Sequence, residues 1–271
     1  WAHGEFGESA RCLQRALGLS DARSAWQTAI CYILLGNVEY ERGNTTESYR
    51  ALVESLRIAR EQGDPTLISY AISSLSRHAQ QPEKIAELEP LAREGCQLAR
   101  ESGNRFAVAL SLAQLAQVVW AKGGRDEARQ LCHASLAVCR DQGDDWGLSA
   151  TLNQLGNFEL TSGAVREAQQ HLTEAIRVAS RGGFHANVLD ALVSMAAARA
   201  KAGDAASALE LITLVLQDPA TKHPSRTRAE QLRAELAAGL TLQQIEEAQA
   251  RARSKGFDQT VEEILTFSSP G

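Results

Sequence analysis

Four polar side chains recur at a spacing of 40 residues, and they are Asn37, Arg77, Gln117 and Asn157. Amides pair with main-chain donors and acceptors, and a guanidinium without a counter-ion pairs with a carboxylate or a phosphate. A constant step returns the same helix face in each unit, so the four side chains are expected to line one continuous groove. The alternative is that they hydrogen-bond between adjacent helices. The spacing alone leaves both interpretations open.

Residue patterns that support catalysis or metal binding are missing from the sequence. There is no C-x-x-C pair among the five cysteines, no nucleophile motif, and no phosphate-binding loop of the form G-x-x-x-x-G-K-[ST]. The six histidines are scattered along the chain. We therefore expect no enzyme activity, no catalytic residue, no metal and no cofactor. Cys31, Cys132 and Cys139 are expected to be buried free thiols.

A 40-residue repeat runs through most of the chain. Self-similarity at this period predicts stacked units, each of which buries its apolar face only against its neighbours. An apolar series keeps the step and consists of Leu35, Leu75, Leu115, Leu155 and Met195. Two glycine series do the same, and they are Gly43, Gly123, Gly163 and Gly203, and Gly63, Gly103, Gly143 and Gly183.

Composition narrows the class of protein further. Six prolines in 271 residues, with leucine, alanine, glutamate, glutamine and arginine abundant, favour an all-α fold. A net charge of −5 and a pI near 5.8 argue against a nucleic-acid partner, which needs a concentrated basic face. No apolar run approaches the roughly 20 residues of a membrane span, and no signal peptide is visible. A cytoplasmic location is expected.

Each unit is predicted to be two antiparallel helices with a glycine at each turn. In the fourth unit the apolar spacing predicts helices over Asp145–Ser162 and Val165–Arg181. Asp64, Asn104 and Asp144 each follow a glycine and are predicted N-caps of the first helices. Asn44 with Glu47 has the form of a capping box, and Thr241 can cap a later helix.

These patterns divide the chain into a partial repeat over residues 1–20, five repeats within 21–217, and C-terminal capping helices over 218–271. The second repeat is irregular because Pro82 and Pro90 interrupt it. The opening Trp1-Ala2-His3-Gly4 is similar to the end of a first helix, so further repeats or another domain are expected upstream. The predicted repeats are 22–62, 64–102, 104–142, 144–182 and 184–217, and the predicted capping segments are Ser225–Ala238, Thr241–Ser254 and Asp258–Phe267.

The small-Leu-Gly pattern with a turn glycine resembles the tetratricopeptide repeat (TPR), most clearly at Leu155, Gly156, Gly163 and Ala168. The 40-residue variant, with segments such as LRIAREQGD and LAVCRDQGD, is similar to the C-terminal sensor arrays of bacterial STAND signalling ATPases, including MalT-like and AfsR-like regulators. The closing segment EEAQARARSKGFDQTVEEIL resembles the cap of the same group. The resemblance covers about residues 4–267.

The resemblance implies an all-α, right-handed α-solenoid of about five TPR-like hairpins whose first helices line a concave groove. A peptide, a protein or a small-molecule inducer would bind there, and an NTPase domain would precede the array in the full-length chain. Arg77 is expected to be unpaired and to meet an anionic group. Trp26 and Trp146 are explained by packing between repeats. The expected groove residues are Asn37, Tyr40, Arg77, Gln114, Gln117, Trp120, Asn153, Gln154 and Asn157.

Two hypotheses follow. In the first, the chain is the sensing arm of a STAND-type signalling ATPase or transcriptional regulator. In the second, it is an autonomous adaptor that assembles other proteins. The sequence upstream of Trp1 separates them, since a P-loop domain there supports the sensing arm.

Overall fold

The computed structural model describes residues 3–18 and 24–267, and all regular structure in these two ranges is helical. The helices divide between two compact units, Trp1–Gly147 and Leu148–Gly271. The expected similarity at Trp1-Ala2 and the segment Ser268–Gly271 lie outside the described residues. The prediction of an all-α array of helical hairpins is confirmed.

The first unit is built of consecutive helices, and each of the first six packs on the next. The chain enters α8 at the end of this unit. The helices are α1 (His3–Gly18), α2 (Ala25–Glu41), α3 (Thr45–Gln62), α4 (Pro65–Ser76), α5 (Ile85–Glu101), α6 (Arg105–Lys122), α7 (Arg125–Gln142) and α8 (Asp145–Ser162).

The second unit contains the remainder of α8, two further hairpin partners and the cap. Its helices are α9 (Val165–Arg181), α10 (His185–Lys201), α11 (Ala205–Gln217), α12 (His223–Gly239) and α13 (Leu242–Phe267). Gly256 interrupts α13 with φ 71° and ψ −177°. The last two predicted capping segments are therefore the two halves of α13, which meet at this break.

Leucine and glycine at neighbouring positions of the first helices explain why the two helices of a hairpin approach closely. Leu155 is 0% exposed, and the equivalent Leu115 is 4% exposed. A Cβ atom built on Gly156 would lie 2.8 Å from Cγ of Leu172 on α9. Only a glycine leaves room for that leucine, so α8 and α9 pack with almost no space between them at this level.

The turn glycines of both 40-residue series have positive φ, from 64° at Gly143 to 102° at Gly123. This left-handed conformation ends a helix at little cost only where there is no Cβ atom. The same spacing that marks the repeat therefore also marks the helix ends.

Helix N-termini follow the predicted caps at most positions. The side chains of Asp64, Asn104 and Asp144 accept hydrogen bonds from backbone N–H groups two or three residues on. Thr241 accepts from the backbone of Gln244, as predicted. The capping box at Asn44 is wrong, because its amide donates instead to Glu39 Oε2 at 2.6 Å.

The second repeat departs from the others, as Pro82 and Pro90 led us to expect. Its first helix, α4, has 12 residues, whereas α6 has 18. Two short 3-10 turns, Arg77–Gln80 and Pro82–Lys84, replace the missing helical turns. Pro90 lies inside α5. Arg77 is therefore presented from a 3-10 turn and not from an α-helix.

Candidate functional site

Arg77 lies in a cluster of side chains from the first two repeats. Its Nη2 atom is 2.5 Å from Glu41 Oε1, and its Nη1 donates to Asn37 Oδ1 at 3.4 Å. The guanidinium carbon is 4.1 Å from the centre of the Tyr40 ring. The Tyr40 hydroxyl donates to the Arg77 carbonyl at 3.3 Å. The cluster joins α2 to the 3-10 turn that follows α4.

These contacts correct two expectations. Arg77 is not an unpaired cation, because Glu41 neutralises it within the array. Tyr40 is 8% exposed, and burial raises the pKa of its hydroxyl. Its ring is therefore covered and does not offer a face to a ligand. Asn37 and Arg77 hydrogen-bond to each other. For these two members of the 40-residue polar series, the alternative interpretation therefore holds, in which they pair between adjacent helices.

His78 lies next to this cluster and is 1% exposed. Its Nε2 is 3.0 Å from Ser48 Oγ, and its ring meets Tyr40 and Tyr49 edge-on at centroid distances of 5.3 Å. The Nδ1 atom is buried and has no hydrogen-bond partner among the described residues. Burial, together with the charges of Arg77 and Lys84, lowers the pKa of His78 to about 4. His78 is a neutral packing residue.

The polar residues of α6 have different environments. The amide oxygen of Gln114 is buried without a hydrogen-bond partner in the described part of the chain, whereas Gln117 is half-buried. The Trp120 ring has the guanidinium groups of Arg125 and Arg129 at 5.2 and 5.8 Å from its centre. Both arginines belong to α7, the second helix of the same hairpin. The Trp120 ring therefore already lies beside two cations that belong to its own repeat.

In the second unit, the expected groove residues Asn153, Gln154 and Asn157 lie on α8. Asn157 donates to the carbonyl of Asn153 at 2.9 Å, and Gln154 lies between them in sequence and is half-buried. Arg228, on α12, donates through Nη2 to Asn157 Oδ1 at 2.9 Å and to Ser194 Oγ at 3.3 Å. The structure thus places a cation beside Asn153 and Asn157 that sequence analysis did not identify.

The environment of Arg228 is unusual for a surface cation. The residue is exposed to solvent, yet burial by the surrounding protein lowers the pKa of its guanidinium, with Asp190 acting in the opposite direction. The hydrogen-bond partners of Arg228 are neutral, and no carboxylate lies at ion-pair distance within residues 3–18 and 24–267.

A row of aromatic rings lies at the N-terminal ends of the first helices in the first unit. The ring centres of Tyr70 and Phe106 are 6.3 Å apart, and those of Phe106 and Trp146 are 6.4 Å apart. Phe106 is 43% exposed and Trp146 is 42% exposed. Asn104 donates to the Tyr70 hydroxyl at 3.1 Å and fixes that ring. We call these three residues the aromatic row.

The aromatic row corrects the explanation of Trp26 and Trp146 by packing. Trp26 is 50% exposed and Trp146 is 42% exposed, so contacts between repeats leave a large part of each residue uncovered. Trp26, Phe106 and Trp146 occupy one repeat position, at spacings of 80 and 40 residues. This second periodic series was visible in the sequence and would have identified Phe106 and Trp146, but not Tyr70, since the equivalent position of the second repeat is Thr66.

The structure brings some of the expected groove residues together and leaves others apart. Asn37, Tyr40 and Arg77 form one cluster, and Asn153 and Asn157 form another with Arg228. Within residues 3–18 and 24–267, neither cluster hydrogen-bonds to Gln117. Because Asn157 belongs to the second unit, a single continuous groove stays a prediction.

Residues 3–18 and 24–267 contain neither a metal-binding cluster nor a membrane-spanning helix. No group of three or more histidine, cysteine, aspartate or glutamate side chains there could hold a metal ion. No helix in those ranges is both long and apolar enough to cross a bilayer. All five cysteines are free, and Cys132 and Cys139 are buried, whereas Cys31 is half-buried.

Two family models match parts of the sequence. Residues 105–180 match the model described as tetratricopeptide repeat, and residues 1–81 match the model described as anaphase-promoting complex subunit 5. No curated protein matches the sequence significantly.

Several solved structures share the fold. A STAND protein with a tetratricopeptide repeat sensor from Pyrococcus horikoshii has a TM-score of 0.58 and 13% identity, covering 97% of this chain and 41% of that one. BtubC from P. vanneervenii has a TM-score of 0.53 and 17% identity, covering 88% and 91%. A putative kinesin light chain with TPR-like repeats from Podosopora anserina has a TM-score of 0.51 and 16% identity, covering 79% and 98%.

At these identities the likeness is one of fold. The chain spans about two fifths of the STAND protein, with 41% of that chain covered. Repeats of this kind generally form non-catalytic scaffolds that bind proteins. The chain is therefore an array of tetratricopeptide-like repeats that resembles a STAND sensor array.

Proposed function

We propose that the chain is the sensing arm of a larger STAND-type signalling protein and that it binds an elongated peptide segment of a partner. The aromatic row of Tyr70, Phe106 and Trp146 carries this proposal. Two of its rings are more than two fifths exposed although they contact one another. Contiguous exposed aromatic surface is typical of protein-binding sites, because the rings cover a partner's apolar side chains.

The rings are also held in place before a partner arrives. The Tyr70 hydroxyl accepts a hydrogen bond from Asn104, which in turn caps α6. Phe106 and Trp146 lie in the first turns of α6 and α8. Rings on helices lose little conformational freedom on binding, so more of the contact energy contributes to affinity.

The second unit has an anion-binding candidate of its own, because Arg228 can meet an acidic group of a ligand that contacts this unit. Both of its recorded hydrogen bonds use Nη2, and both acceptors are neutral. A carboxylate offers the charge that the guanidinium lacks there, and charged hydrogen bonds are stronger than neutral ones. Arg228 takes the role that the sequence pattern suggested for Arg77.

Selection from a random peptide library displayed on phage tests the aromatic row. The immobilised 271-residue chain is expected to enrich peptides with apolar side chains. Phe106→Ser combined with Trp146→Ser should weaken the selected peptides at least tenfold. Leu242→Ser is the matched control, because Leu242 is 80% exposed and lies in the other unit. Equal binding by the double variant and the wild type would contradict the proposal.

An autonomous adaptor is the second candidate function. The chain covers 91% of the BtubC structure and 98% of the putative kinesin light chain structure, so repeat arrays of this size are found in solved structures that contain little else. The sequence encoded upstream of Trp1 decides between the two candidates. A P-loop NTPase domain in the same reading frame supports the sensing arm, and its absence from the full-length protein supports the adaptor.

A further inference from the structure

A half-open cavity of about 490 Å³ lies in the second unit, between the repeats and the cap. Ser180, at the end of α9, and His185, at the start of α10, form one side. The part of α13 that follows Gly256 forms the other side. Pockets for small molecules commonly have volumes of about 300–1,000 Å³, so the cavity can take one small organic ligand.

The walls of the cavity are largely apolar. Val188 is 2% exposed and Val261 is 7% exposed, and both contribute to its lining together with Leu265. Phe257 adds an aromatic wall, and its ring centre lies 4.3 Å from that of His185. An apolar body that fills the cavity displaces water from these side chains and is stabilised by about 25 cal/mol for each Å² removed from water.

Two carboxylates at the cavity select the charge of the ligand. Asp258 and Glu262 are one helical turn apart and both line it. Neither forms an ion pair within the described ranges. The nearby Lys255 is used elsewhere, since it pairs with Glu263 at 2.7 Å and with Glu210 at 3.1 Å.

The histidine of the cavity does not compensate these carboxylates. His185 Nε2 is 2.7 Å from Asp218 Oδ2, so its ring already has an acidic partner. The lining therefore combines apolar walls with two solvent-exposed carboxylates that form no ion pair within residues 3–18 and 24–267. An anionic ligand would be repelled, and a neutral one would leave the carboxylates without a counter-ion.

We propose that this cavity binds an amphipathic organic cation, with its aliphatic or aromatic body between Val188, Val261 and Phe257 and its ammonium group at Asp258 and Glu262. Two contributions support the ammonium position, namely attraction to the carboxylates and attraction to the face of an aromatic ring. The cavity belongs to the second unit, whereas the aromatic row belongs to the first.

Isothermal titration calorimetry with 2-phenylethylamine tests the proposal, and 2-phenylethanol is the neutral probe of similar size. The amine should bind the 271-residue chain at least tenfold more tightly than the alcohol, and this difference should shrink as salt is added. Asp258→Asn combined with Glu262→Gln should reduce the affinity for the amine to that for the alcohol. Glu246→Gln combined with Glu247→Gln, on the same helix outside the cavity, should leave it unchanged.

A second variant tests whether binding needs the open cavity and not only the charges of Asp258 and Glu262. Ser180 is exposed at the mouth, so Ser180→Tyr is expected to fill part of the cavity without disturbing the core, and it should abolish binding of both probes. Unfolding curves confirm that each variant is folded. The proposal is wrong if the amine does not bind, if amine and alcohol bind equally, or if neither the charge variant nor Ser180→Tyr reduces binding.

Discussion

Glu41 holds Arg77 across the boundary between the first two repeats. Their side chains are 13% and 27% exposed, so the ion pair is partly removed from water. It ties the last residue of α2 to the 3-10 turn that replaces the end of the first helix in the second repeat. The pair thus stabilises the array at its least regular point.

Arg77→Ala is expected to lower the free energy of unfolding by about 1–3 kcal/mol, between the values for exposed and for buried pairs. The loss arises because Glu41 keeps a partly buried charge without a partner. Urea unfolding of the wild type, both single variants and the double variant with Glu41→Gln measures the coupling. Arg105→Ala is the control, since its pair with Asp141 is exposed and should contribute little. Equal effects of Arg77→Ala and Arg105→Ala would contradict a structural role for Arg77.

Leu155→Ala is expected to destabilise the chain by about 2–5 kcal/mol, the range for emptying a buried leucine site. Leu155 is 0% exposed, and Leu115 at the equivalent position is 4% exposed, so Leu115→Ala should act similarly. Chemical unfolding monitored by circular dichroism gives both values. Leu242→Ala should have almost no effect, because that side chain is 80% exposed. A change within error at both core sites would show that the helical register is wrong.

Gly156→Ala is expected to destabilise the fourth repeat although alanine is the better helix former. The added methyl group would lie 2.8 Å from Cγ and 2.9 Å from Cδ2 of Leu172, which is fully buried. Either the helices separate or Leu172 leaves its rotamer, and overpacking of this kind costs about 1–3 kcal/mol. Gly7→Ala is the matched control.

Gly7 lies within α1, and no atom is within 4 Å of a Cβ built on it. Alanine there should be neutral or stabilise the chain by up to about 1 kcal/mol through helix propensity. In thermal melts, the melting temperature of Gly156→Ala should therefore lie below that of the wild type, whereas that of Gly7→Ala should be equal to it or higher. If Gly156→Ala raises the melting temperature, the close approach of α8 and α9 is not as described.

Stability should depend on the protonation of His78. In the unfolded chain its pKa is near the ordinary value of about 6.5, whereas in the folded chain it is lowered to about 4. Between these values the unfolded state binds more protons, so the free energy of unfolding falls as the pH drops from about 6.5 to about 4. Protonation of His78 changes the free energy of unfolding by at most about 1.4 kcal/mol per pH unit.

Urea unfolding between pH 4 and pH 7 of the wild type and of His78→Gln isolates that contribution. The wild type should lose more stability than the variant over this interval. His223→Gln is the control, because His223 is exposed. Parallel pH profiles for the wild type and His78→Gln would show that the imidazole takes up its proton without cost in the folded chain.

The helices and their ends were predictable because the determinants are local. A glycine with positive φ, a side-chain cap after it and a 3–4 apolar spacing act within a few residues, and α8 and α9 begin and end where these signals place them. Asn44 shows the limit. The predicted capping box does not form because the Asn44 amide donates a hydrogen bond to Glu39, which lies five residues earlier and is 3% exposed.

The candidate site was only partly predictable because the ion pair between Arg77 and Glu41 depends on how α4 ends. The position of Arg77 in the repeat was clear, but the 3-10 turns that bring it onto Glu41 follow from the irregular second repeat. Arg228 lies past the periodic region, so no repeat spacing pointed to it. Phe106 and Trp146 of the aromatic row have a periodic signal, and their exposure could be read only from the structure.

The shortened first helix of the second repeat has a consequence for cooperativity. In a stacked array, stability is approximately a sum over units and nearest-neighbour interfaces, so a unit with fewer helical turns couples its neighbours less strongly. The turns Arg77–Gln80 and Pro82–Lys84 also have the less favourable hydrogen-bond geometry of 3-10 structure. An unfolding front that travels along the first unit should therefore stop at this repeat, so that the helices before it and those after it open as separate foldons.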